Sequence, residues 1–102
     1  MNMPKVIRVG SVDYVVSTQK DIYEQGVHLA GQVVYPQTAI MVDEEMSPSR
    51  KDNVLIHEIT HAIFNEAGYN EQDEDLINRV GNVLHGMLRD NDFGFIRERE
   101  AE

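Results

Sequence analysis

At 102 residues, 41% of them hydrophobic, the chain has the size and composition of one folded domain and leaves little room for a second. Its net charge of −9 counts against partnership with nucleic acid or an anionic membrane, both of which need clustered Lys and Arg, and suits a soluble protein or one that meets basic partners. With no cysteine, disulfide scaffolds, thiolate metal sites and a cysteine nucleophile are all excluded.

The opening "MNMPKVIRVG" lacks the apolar core of a signal peptide, and no run approaches a membrane span, so a cytoplasmic location is expected. No repeat or biased linker divides residues 1–102, which therefore read as a single domain. "VIRVGSVDYVVST" (6–18) holds two strand-forming pieces with Gly10 and Ser11 as the turn between them. In "QKDIYEQGVHLAG" (19–31) the apolar residues Ile22, Val27 and Leu29 follow no clean period, and the segment reads as a loop or a short helical turn. "QVVYPQTAIMVD" (32–43) reads as two short strands joined at Pro36 and Gln37. Residues 6–43 thus predict a small, mostly antiparallel sheet of three or four strands.

Ser47 followed by Pro48 is helix-start chemistry: a hydroxyl to cap the first turn and a proline where no N–H is needed. A helix over 47–67 should follow and stop at Gly68. Val54, Leu55, Ile56, Ile59, Ala62, Ile63 and Phe64 nearly surround its axis, the pattern of a buried helix. After the acidic "NEQDED", a second helix over 73–90 carries Leu76, Ile77, Val80, Val83, Leu84, Met87 and Leu88 at helical spacing. "FGFI" (93–96) reads as a short strand or packed tail, and "REREAE" (97–102) as a frayed end. The fold class is α+β, a small sheet packed on two main helices.

Within the first helix, "VLIHEITHAIF" (54–64) places His57, Glu58 and His61 among aliphatics. Two histidines four residues apart project from one helix face and reach one metal ion, while Glu58, turned about 100° round the axis, stands beside that ion and can take a proton from water. Burying these groups without a shared partner would be costly. A catalytic zinc site needs a third protein ligand. The extended metzincin pattern would place Gly at position 64 and His at 67; the residues there are Phe64 and Ala67, which excludes that class.

Four carboxylates, Glu71, Asp73, Glu74 and Asp75, lie where a helical hairpin would return the chain toward His57 and His61. Glu74 is favoured because Asn78, one turn further on, can then hydrogen-bond a ligand ring and orient it. Glu71, Asp73 and Asp75 read as a solvated helix N-terminus that complements the dipole. His85 shares the face of Glu74 but sits about 16 Å along the axis, as a core or pocket-lining residue. His28 falls in the irregular segment and is the weaker candidate.

The segment "VDEEMSPSRKDNVLIHEITHAIFNEAG" followed by "EDLINRVGNVLHGML" resembles the small ImmA/IrrE-type metallopeptidases of bacteria and their phages, minimal relatives of the gluzincins. The resemblance covers roughly residues 30–90. It implies a minimal zincin-like fold in which a strand pair precedes the H-E-x-x-H helix and a second helix supplies the third ligand from an E-x-x-A-N/D element. Here that element reads Glu74-Asp75-Leu76-Ile77-Asn78, with Ile in place of the small Ala, and twelve residues separate His61 from Glu74, which implies a tight hairpin.

The activity implied is zinc-dependent hydrolysis of a peptide or protein substrate, with Zn²⁺ held by His57, His61 and Glu74 and with Glu58 as general base. Tyr14, Tyr23, Tyr35 and Tyr69 are candidates for steadying the oxyanion, and "TAIMVD" (38–43) for an exposed edge strand that holds an extended peptide. The competing expectation is a non-catalytic, metal-stabilised binding or regulatory module of phage or bacterial origin. Glu58 favours the enzyme, since a purely structural site does not need a base.

Overall fold

The computed structural model describes residues 3–100. Val6–Val9 (β1) and Val12–Gln19 (β2) form an antiparallel hairpin whose turn runs through Gly10 at φ +63°, a value glycine adopts without strain. The segment 19–31, expected to be irregular or helical, instead contains a second hairpin, Tyr23–Glu24 (β3) and Val27–His28 (β4). Both residues of its two-residue turn have positive φ, Gln25 at 51° and Gly26 at 80°, as a type I′ turn requires.

Gly31–Val34 (β5) and Ala39–Asp43 (β6) are joined through a single 3-10 turn at Tyr35–Gln37, the expected hairpin about Pro36. The four longer strands form one sheet in the order β1-β2-β6-β5. Two of its three pairings are antiparallel, and β2 pairs with β6 in parallel, from Val15↔Ala39 to Gln19↔Asp43. This order corrects the expectation for 38–43: β6 has neighbours on both sides, and the edge strands are β1 and β5.

Pro48–Glu66 (α1) starts as its sequence dictates, with the Ser47 Oγ accepting from the Arg50 N–H at 3.4 Å and Pro48 in the first turn. It ends where Gly68 turns left-handed at φ +100° and Tyr69 N–H reaches back to the Phe64 carbonyl at 2.9 Å. α1 lies on the sheet, and its Leu55 and Ala62 join Val9, Tyr14, Val16, Ile40 and Val42 in the core. The Tyr14 hydroxyl crosses to α1 and donates to Glu66 Oε2 at 2.5 Å.

α1 is not buried all round as its composition suggested, since Ile63 remains 40% exposed. A four-stranded sheet and one neighbouring helix are too small to enclose it. That neighbour is Glu74–Asp90 (α2), whose first turn is capped by Asp73 accepting from Asp75 N–H at 2.9 Å. Its buried residues are Ile77 and Gly81. A Cβ on Gly81 would stand 3.2 Å from Thr60 Oγ1 and 3.6 Å from the His57 Cα, so the glycine lets α2 lie close against the histidine-bearing turn of α1.

The tail at 93–96 is neither strand nor packed segment. Gly94–Glu100 (α3) is a short helix entered through Asp92, which accepts from Gly94 N–H at 2.8 Å, and Phe95 and Ile96 are 46% and 50% exposed. Residues 97–100, expected to fray, continue this helix, and 101 and 102 lie outside the described residues.

Candidate metal centre

α1 and α2 bring together three residues, the outer two of them seventeen positions apart in sequence. His57 Nε2 lies 2.6 Å from Glu74 Oε1, and His61 Nε2 lies 3.1 Å from Glu74 Oε2. Helical spacing sets the two imidazoles edge to face, with ring centroids 5.0 Å apart, and the tight 67–73 connection delivers Glu74 as the first residue of α2. The ligand atoms of His57, His61 and Glu74 all lie within 4.8 Å of one another, close enough for one ion to be held by all three.

Glu58 points into the same place from the next position on α1 and is only 7% exposed. Burial pushes its carboxyl up to about pKa 7; the nearby His61 works against that shift and the Glu74 carboxylate adds to it.

The residues open onto a cleft made of two adjoining hollows of about 400 and 310 Å³. Leu29, Gly31, Glu58 and Glu74 line both. One wall is the edge strand β5 with Glu24 from the small hairpin, and the other is the helix pair. Gly31 is what lets the walls approach: a Cβ there would stand 2.7 Å from Val54 Cγ1 and 3.1 Å from both Glu58 Cγ and the Met41 carbonyl.

Of the four tyrosines, Tyr35 alone lines these hollows. Burial raises its pKa, the Gln72 hydrogen bond lowers it, and the Glu58 and Glu74 charges raise it again, leaving a phenol that keeps its proton. Tyr14 belongs to the core, Tyr23 stacks on His28, and Tyr69 packs on Phe64.

His28 lies on β4 with Nε2 3.5 Å from Asp43 Oδ2, and His85 meets Asn53 Nδ2 through Nδ1 at 3.2 Å; neither joins the three. Asp73 caps α2 and Asp75 pairs with Arg79 at 2.9 Å, as a solvated helix start does. Asn78 lines the cleft with His57 and Glu74, but no hydrogen bond joins it to His57 or His61 among the described residues. The hydrogen bond on a ring of the trio comes instead from Gln72, whose Oε1 lies 2.6 Å from His61 Nδ1. Nothing in the sequence singles out Gln72, since a polar residue in a connection is ordinary.

The donor set suits a divalent cation. Two imidazole nitrogens and a carboxylate are a familiar zinc combination. His57 Nε2 faces Glu74 Oε1 and His61 Nε2 faces Glu74 Oε2, so both ring nitrogens and the carboxylate are directed at one small volume.

Residues 16–86 match the IrrE N-terminal-like domain, Peptidase_M78. No curated protein and no solved structure shows a significant match. The match spans the sheet from the second half of β2 onward, α1 and most of α2, and so contains His57, Glu58, His61 and Glu74. The chain therefore belongs to the family of IrrE N-terminal-like, peptidase M78 domains.

Proposed function

We propose that the protein is a zinc metallopeptidase that hydrolyses peptide bonds with Glu58 as general base, acting in the cytosol of a bacterium or of a phage-infected cell. The observation that carries this reading is the convergence of His57, His61 and Glu74 beside a buried Glu58 at the floor of a cleft. Held by those three residues, Zn²⁺ would supply a Lewis acid that acidifies water and polarises a peptide carbonyl.

The protein's own groups do the rest. Glu58, buried beside the three ligand residues, is placed to take a proton from water and return it to the leaving amine. The Tyr35 hydroxyl is the donor available to the developing negative charge on the carbonyl oxygen. β5 presents a free edge of the sheet along the cleft, and an extended peptide pairing with that edge would lie with its backbone across Glu58.

The test is metal analysis and peptide hydrolysis on wild type and Glu58→Gln. Stoichiometric zinc in both proteins, with hydrolysis in wild type alone and down by at least about 100-fold in the variant, is the expected result. Zinc bound equally by both with hydrolysis in neither would favour the metal-stabilised binding module. No zinc in either would remove both readings.

A further inference from the structure

The side chain of Gln72 is held from several sides. Its Nε2 lies 3.3 Å from the His61 carbonyl, 3.3 Å from the Tyr69 carbonyl and 3.4 Å from the Tyr35 hydroxyl, while its Oε1 lies 2.6 Å from His61 Nδ1. Carbonyl oxygens only accept, so two of them on one end of the amide identify that end as the NH₂ group. Turning the amide over would set Oε1 against both carbonyls. The oxygen must then face His61, and an oxygen at 2.6 Å requires the proton of the ring to sit on Nδ1.

We propose that Gln72 is a positioning residue that locks His61 in the Nδ1–H tautomer and aims the Nε2 lone pair at the metal position, an inference that rests on the metal-centre reading above. The two backbone carbonyls fix Gln72, Gln72 fixes the ring, and the ring is thereby prepared as a ligand before any ion arrives. The carbonyl of His61 itself is one of the two anchors, so the residue that carries the ligand also orients the amide that orients it. The same NH₂ group comes to 3.4 Å from the Tyr35 hydroxyl oxygen, so one of its two protons is shared between that oxygen and a carbonyl.

The experiment uses the full chain, metal-free and zinc-loaded, as wild type, Gln72→Leu and Gln72→Met, the latter keeping the length of the side chain without its hydrogen-bonding amide. Ring-nitrogen NMR of metal-free protein, recorded well above the imidazole titration range, should show the His61 proton on Nδ1 in wild type. In both variants the tautomers should mix. Zinc affinity, measured by competition with a chelator, should fall by about 10–100-fold in both variants.

A His61 proton on Nε2 in metal-free wild type would overturn the proposal, and that measurement needs no variant to fold. Equal zinc affinity in all three proteins would also overturn it, even if Gln72→Leu melts earlier, because a purely structural role moves the melting temperature alone. Failure of the metal-centre reading looks different: wild type itself would bind no zinc.

Discussion

Gly31 and Glu58 stand against each other in the cleft so closely that a Cβ on Gly31 would lie 3.1 Å from Glu58 Cγ and press that side chain aside by a few tenths of an ångström. The backbone of the edge strand and the proposed base are thus set against each other by the absence of one methyl group. Gly31→Ala should lower stability by about 1–3 kcal/mol, because Val54 Cγ1 and the Met41 carbonyl also crowd the added carbon. Urea denaturation of the metal-free variant checks it, and hydrolysis should fall further than stability, since Glu58 must move to make room.

Zinc should stabilise the fold and a chelator should reverse the effect. At about 100-fold excess over its dissociation constant, an ion that binds only the folded state contributes about 2.7 kcal/mol. In a domain of this size that raises the melting temperature by about 13 °C. Glu74→Ala removes one of the three converging ligand atoms, and differential scanning fluorimetry should find little or no zinc-dependent shift in it.

In the metal-free protein the burial of Glu58 makes stability depend on pH. Its carboxyl is raised from an ordinary 4.5 to about 7 in the folded chain, so the folded state holds a proton that the unfolded state releases over that interval. The contribution is fully favourable below the unfolded pKa and is lost as pH rises through about 7. Glu58→Gln should therefore be more stable than wild type at alkaline pH, by about 1–3 kcal/mol, with the difference closing in acid. Denaturation with a chelator present, at one pH on each side of the interval, measures this; a difference independent of pH would be the contrary result.

Tyr14→Phe should loosen α1 from the sheet. The buried Tyr14 hydroxyl donates to Glu66 at 2.5 Å, and loss of a hydrogen bond to a charged group costs about 1–2 kcal/mol where water can take over the exposed carboxylate. Burial first, and Glu66 second, push the Tyr14 phenol up to about pKa 12. Ultraviolet titration of the wild type should accordingly contain a late phenolate step that the variant lacks.

Local chemistry made much of this molecule readable. Ser47, Pro48 and Gly68 bound α1 because caps and left-handed stops act over a few residues. The spacing of His57 and His61 needs only helical geometry to become a shared site, and Glu74 was reachable because α2 begins immediately at it.

What stayed hidden depends on contacts between distant segments. The parallel pairing of Val15 with Ala39 decides that β5 and not β6 is an edge, and no pattern within either strand records it. The grip of Gln72 on His61 requires a whole turn of chain to fold back first. The hairpin at Gln25-Gly26 did carry a local signal, a two-residue turn ending in glycine, but its strands are only two residues long and show no alternation to read. The aliphatics of α1 gave the right helix and the wrong enclosure, because composition shows what a helix is able to bury and not how much protein surrounds it.

Placing Glu74 at the first residue of α2 has a consequence for newly made chains. α2 packs chiefly on α1, through Ile77 and Gly81, and arrives after the sheet and α1 in order of synthesis. Until it docks, the site offers two imidazoles, fewer than the three protein ligands of a catalytic zinc site. On the proposed reading, hydrolysis is withheld from every molecule in which α2 has not docked. Docking of α2 acts as a safety catch, so a peptidase among other nascent proteins stays inert until that helix has seated.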